Sequence, residues 1–131
     1  MSTDGIRWFK LRSNPIVELG PPGTFDELGL GEPAVWSGDG SYWMLYTARD
    51  KHENRHLGLA RSQDGVNWVR VSEQPALSGT SSWNAKVVCD PHVQPASGGV
   101  RVWFGGGNKA EPAENLNGQI GYATLKLFLQ P

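Results

Sequence analysis

Two acidic residues carry most of the chemistry that this 131-residue chain can offer. Glu32 and Asp90 each precede a proline, in Gly31-Glu32-Pro33 and Cys89-Asp90-Pro91, and each opens an apolar stretch. Both therefore read as the first residues of strands. Two carboxylates brought to one place can share acid and base work, hold a cation or order a polar ligand. The histidines add little. His52 and His56 lie in and beside the charged run Arg49-Asp50-Lys51-His52-Glu53-Asn54-Arg55 and have no metal-ligand spacing with Cys89, so neither a metal nor a cofactor is expected. The run Gly105-Gly106-Gly107-Asn108 lacks the Lys-Ser/Thr of a phosphate loop and reads as an open strand end that a ligand can approach.

A repeat positions these residues. Ser62-Gln63-Asp64-Gly65-Val66-Asn67-Trp68 has a second copy, Ser2-Thr3-Asp4-Gly5-Ile6-Arg7-Trp8, sixty positions earlier. Ser-x-Asp-Gly encodes a tight turn, because Asp accepts from backbone N–H groups ahead of it and Gly tolerates positive φ. The alternation after it reads as a strand leaving the turn. Trp8 to Val17 aligns with Trp68 to Leu77 at offset 60, and Phe25-Asp26 with Trp83-Asn84 at offset 58. Glu32 to Val35 aligns with Asp90 to Val93, and Tyr42 to Tyr46 with Val100 to Phe104. Leu57 to Ala60 aligns with Ile120 to Ala123 at offset 63. The chain is thus a two-unit repeat.

Strands are expected near 33–37, 41–48, 56–61 and 66–72, then near 91–95, 99–105 and 118–125. In the second strand Tyr42, Met44 and Tyr46 alternate with Trp43 and Leu45, so both faces of the sheet are apolar and must be covered. Four-stranded antiparallel units stacked face to face are propeller blades, and the fold class is all-β. One domain is expected over 1–131, with repeat 1 at about 14–73, repeat 2 at about 74–126, and a clasp strand at about 4–13. That clasp stands in for the fourth strand the second unit lacks. Trp8 and Trp68 are expected in the core between blades, and residues 110–116 have room for one helical turn. The long loops 49–55, 106–117, 13–31 and 74–89 should share one face, with Glu32 and Asp90 at the mouth of the channel there.

A net charge of −1 offers nothing to attract nucleic acid or an anionic membrane, and no apolar run reaches membrane-spanning length. Met1 is followed by polar Ser-Thr-Asp rather than a secretory leader, and a single cysteine excludes an intrachain disulfide. A cytoplasmic location is the expectation. Two-blade chains should close a ring as homo-oligomers by heterologous contacts, a trimer of six blades first and a dimer of four second.

Gly31-Glu32-Pro33, Cys89-Asp90-Pro91 and the turn-strand motif resemble those of the five-bladed propeller glycosidases, the clan of arabinanases, xylosidases, invertases and levansucrases. Asn14-Pro15-Ile16-Val17 with Gly20-Pro21-Pro22-Gly23-Thr24-Phe25, and Trp103-Phe104-Gly105-Gly106-Gly107, are similar to segments of the same group. The resemblance implies a carbohydrate ligand in the central channel. By position Glu32 and Asp90 are the catalytic candidates, since glycoside hydrolysis needs two carboxyl groups, roughly 5 Å apart for retention or about 6.5–9.5 Å for inversion. The clan's third acidic position has no counterpart here, and Glu stands in a slot where Asp is usual. Arg49, Asp50, Asn108 and Asn115 are candidates to bond sugar hydroxyls, with His92 beside Asp90-Pro91 and Trp83 as a stacking face. The expectation is a glycoside-hydrolase-like propeller, catalytically degenerate or active. The alternative is a non-catalytic carbohydrate-binding or protein-interaction module on an oligomeric propeller.

Overall fold

A computed structural model describes residues 1–110 and 117–127. The first blade holds β1 (Gly29–Gly38), β2 (Ser41–Arg49), β3 (Arg55–Ser62) and the short β4 (Trp68–Arg70). The second holds β5 (Val87–Ala96), β6 (Gly99–Gly107) and β7 (Gln119–Lys126). Neighbours within each blade pair antiparallel, and one parallel bridge, Arg55 to Val87, joins the blades. Asp39 (φ 52°) and Gly40 (φ 70°) close the β1–β2 hairpin with both central residues at positive φ, the turn whose twist suits antiparallel strands. Ser82–Asn84 form a single 3-10 turn. The helical turn expected near 110–116 lies almost wholly outside the described residues.

Each blade has two apolar faces. Met44, Tyr46, Ala48 and Ala60 form the front face of the first blade, covered by Val17, Phe25, Leu30 and Trp68. Trp43, Leu45 and Leu57 form its back face and pack against Val100, Val102 and Phe104, the front face of the second blade. Leu57 is fully buried, and its backbone exchanges bonds with the segment leading into β5, donating to Leu77 O at 2.9 Å and accepting from Ala76 N at 2.8 Å. The two blades share one steric detail. A Cβ on Gly58 would lie 2.2 Å from Tyr46 Cζ, and one on Gly121 would lie 2.4 Å from Phe104 Cζ. In each blade a bare glycine lets the same aromatic ring of the neighbouring strand lie flat.

The two Ser-x-Asp-Gly turns share the same backbone bonds, and Asp64 accepts one more, from Asn67 Nδ2 at 2.7 Å. Gly5 N and Gly65 N each donate to the turn serine at 2.8 Å. Asp4 Oδ1 accepts from Ile6 and Arg7 N–H, and Asp64 Oδ1 from Val66 and Asn67 N–H. Each Trp indole donates to its Gly carbonyl, at 3.2 Å and 3.0 Å. The Arg7 N–H holds Asp4 below the usual carboxylate range, and the Asn67 N–H does the same for Asp64.

The segments leaving the two turns differ. Residues 68–70 form β4 against β3, whereas residues 4–12 form no strand, and Trp8 is 72% exposed rather than in a core. A strand needs a partner: β4 has β3 beside it across the turn, and among the described residues no strand pairs with residues 4–12. Phe9 instead bonds back to Met1. Trp68 does reach a core, as half-buried cover on the front face of the first blade. β1 and β5 also begin earlier than the proline positions suggest, at Gly29 and Val87, so Glu32 and Asp90 lie inside strands rather than at their starts.

Candidate functional site

Glu32 and Asp90 occupy the same irregularity in adjacent inner strands. The register of β1 against β2 shifts between Gly31 and Ala34, and that of β5 against β6 shifts between Cys89 and His92. Within these bulges Glu32 has φ 47° and Asp90 φ 50°, left-handed conformations that cost a side-chain-bearing residue about 1–2 kcal/mol. Proline at the next position cannot donate to the ladder, and a bulge is where a sheet tolerates that. The result turns two carboxylates out of the strand pleat, and both Glu32 and Asp90 are exposed. β1 and β5 lie side by side. Asp90 N–H donates to the buried Thr47 Oγ1 of β2 at 3.0 Å, tying the second bulge to the first blade.

Cys89 sits beneath this pair. Its thiol is buried and is pushed up to about 12, first by desolvation, then by hydrogen bonding to Asp90 and by the negative charges of Asp90 and Glu32, against the pull of Arg55. One buried sulfur thus feels both carboxylates and a guanidinium. Glu32 lines a shallow pocket with Gly29, Thr47, Arg49 and Arg55. Arg55 was not among the sequence candidates. The signal for it is that Arg49 and Arg55 flank one hairpin, and the register places them directly opposite each other.

The other candidates are distributed. Arg49 reaches the Glu32 pocket while its guanidinium donates to Leu28 O at 3.2 Å and pairs with Glu53 at 3.2 Å. Asp50 is committed to its own loop, accepting from His52 N, Asn54 N and Asn54 Nδ2 and meeting His56 Nε2 at 3.2 Å. Burial opposes ionisation of Asp50, but these bonds outweigh it and hold the carboxyl below its usual range. The other ring nitrogen of His56 lies 2.9 Å from Ser78 Oγ, so the Asp50–His56–Ser78 chain fastens the 50–55 loop to the segment entering the second blade. Asp50 and His56 line a second depression with Phe25 and Glu27, apart from the pocket of Glu32.

Trp83 is not a free stacking face. Its ring stacks on Phe104 at 6.1 Å and lies over Gly106 and Gly121. His92 lies on the back of the second blade, 6.1 Å from Trp103, which is itself 5.4 Å from Tyr122. Asn108 is exposed and accepts from Asn117 Nδ2 at 2.9 Å across the mouth of the β6–β7 loop. Asn115 lies outside the described residues. Among the described residues no three His, Cys, Asp or Glu side chains come together as a metal site.

No family model and no curated protein matches the chain. Solved structures do. A glycoside hydrolase aligns with a TM-score of 0.73 at 20% identity, over 98% of this chain and 35% of its own. A structure described as belonging to the GH130 family of mannoside phosphorylases, which contains glycoside hydrolases that target β-1,2 mannosidic linkages in Candida mannan, aligns with a TM-score of 0.71 at 20% identity over 89% and 37%. The GH32 β-fructofuranosidase of Bombyx mori aligns with a TM-score of 0.68 at 20% identity over 97% and 26%. The fold is that of the propeller glycoside hydrolases. The chain spans about a third of the length of these structures.

Proposed function

We propose that the chain is a blade pair of a glycoside-hydrolase-like propeller that binds a carbohydrate at the inner-strand bulges, with Glu32 and Asp90 as the central carboxylates. The observation that carries this reading is the repetition of one irregular feature. Two adjacent inner strands each hold a solvent-accessible carboxylate at positive φ on a bulge before proline. Strained backbone of this kind persists where the surroundings fix it and is concentrated at sites of function. Carboxylate oxygens accept from sugar hydroxyls and the Arg49 and Arg55 guanidiniums donate to them, so the pocket offers both halves of polyol recognition.

Acid catalysis needs a carboxyl group shielded from water. Both carboxylates are open to solvent in this chain, so binding is the reading its geometry supports, and hydrolysis is the reading that further blades would add. The test is a panel of oligosaccharides by calorimetry alongside a panel of aryl glycosides. Glycan binding that Asp90→Asn and Glu32→Gln each weaken about tenfold or more, about 1.4 kcal/mol, is the expected result. Turnover abolished by Asp90→Asn would favour the enzyme over the binding module. Binding indifferent to both substitutions would remove these residues from the site.

A further inference from the structure

The second blade exposes what the first blade buries. Ile120 is 83% exposed, while Leu57, at the same place in the repeat, is fully buried. Tyr122 is 57% exposed, and Trp103 stands where Leu45 is 1% exposed. Within the chain, Leu45 and Leu57 meet Ala76, Leu77 and Val102 of the next blade. The repeat counterparts of those three residues are Ile16, Val17 and Met44, and they line an apolar groove with Leu30, Pro33 and Tyr46 on the front of the first blade. Among the described residues, the chain therefore carries an uncovered back face at one end and the complementary groove at the other.

The strand edges agree independently. β7 ends the strand order, with nothing paired on its outer side among the described residues. Its counterpart β3 carries β4 there, through Ala60 to Arg70, Arg61 to Val69 and Ser62 to Trp68. The unpaired copy of β4 is the N-terminal segment, whose turn is already formed and whose Ile6, Trp8 and Phe9 are all more than two-thirds exposed. A fourth strand on β7 would carry its tryptophan toward the apolar pocket lined by Val102, Ala123 and Leu125, as Trp68 packs beside Met44 and Ala60.

We infer that the operation carrying the first blade onto the second is repeated between molecules, so that the chain binds a second copy of itself head to tail. Ile120 and Trp103 of one copy enter the Ile16–Val17–Met44 groove of the next. Residues 8–10 of that next copy pair with β7, Lys10 opposite Ala123 and Phe9 opposite Thr124. Thr124 takes the place that Met1 holds in the free chain, where Met1 pairs with Phe9. Both contacts use the ends of the molecule in the same sense, so the contact is heterologous and closes a ring after two or three copies. The inner-strand bulges then alternate around one channel.

Light scattering coupled to gel filtration, over a range of chain concentrations and without sugar, reads the assembly independently of the proposed function. The expected mass is three chains, and two chains also support the inference. Ile120→Asp should return the protein to monomer with an unchanged far-UV spectrum, since Ile120 is exposed in the free chain, while Val69→Asp, on the exposed side of β4, should leave the mass unchanged. Mixing Lys10→Cys with Ala123→Cys should give an interchain disulfide on oxidation. A monomer at every concentration, or an assembly that survives Ile120→Asp and yields no cross-link, would overturn the inference.

Discussion

Replacing Arg70 with methionine removes the partner of the one fully buried carboxylate among the described residues. Asp26 is 1% exposed and accepts from Arg70 Nε at 2.6 Å, Thr24 Oγ1 at 2.9 Å and the Tyr46 hydroxyl at 3.4 Å. The guanidinium also donates to the Glu18 carbonyl, so a single side chain fastens β4 to the segment covering the first blade. Arg70→Met keeps much of the stem but leaves the carboxylate with two neutral donors. Breaking a buried pair from one side costs about 3–5 kcal/mol. The Arg70 side chain is 31% exposed, so water softens its end of the pair, and a loss of about 3 kcal/mol is the expected value. For a domain of this size that lowers Tm by roughly 10 °C. The second blade supplies an internal comparison. Asn84 stands where Asp26 does, is 5% exposed, and accepts from the Ser81 N–H at 3.0 Å. A neutral amide tolerates that depth without a guanidinium, so adding Asp26→Asn to Arg70→Met should recover about half of the loss, by relieving the unpaired buried charge. Urea denaturation followed by tryptophan fluorescence measures all four corners of the cycle. A cost for Arg70→Met below about 1 kcal/mol, or a double variant whose losses simply add, would refute the reasoning.

Three further predictions concern packing and protonation. Gly58→Ala places a methyl 2.2 Å from Tyr46 Cζ and should cost about 1–3 kcal/mol by denaturation, whereas Gly118→Ala meets nothing within 4 Å and should be close to neutral. Cys89 should resist alkylation in the folded protein at pH 9 and react at once in denaturant, because burial and its acidic neighbours push the thiol up to about 12. The same shift sets a pH dependence. The folded state keeps its thiol proton above the ordinary value of 9.0, so this stability is present below pH 9 and is lost as pH rises from there toward about 12. Tyr46, pushed up to about 12 by burial and by the Asp26 carboxylate, acts in the same direction above pH 10. The urea midpoint should therefore fall across pH 9 to 12.

Much of the architecture was legible in the residues because blades are built from local signals. Alternating apolar positions gave the strands, and Asp-Gly and Ser-x-Asp-Gly gave the turns. The type of the two candidate carboxylates was legible too, since each precedes a proline. Their setting was not. A bulge exists only relative to the neighbouring strand, so local sequence placed Glu32 and Asp90 at strand starts rather than inside strands at positive φ. Arg55 beside Glu32 depends on hairpin register, and Asp50 looked available for a ligand until the fold brought His56 and Ser78 around it.

The N-terminal segment separates the two kinds of information most cleanly. Its sequence determined the turn, which forms from residues within seven positions of one another and has the same backbone bonds in both copies. Whether the turn leads into a strand was decided by pairing, which only the folded structure shows. Strand hydrogen bonds require a partner strand, which the turn and the residues after it do not supply. β3 supplies one to residues 68–70, while no strand among the described residues supplies one to residues 8–10.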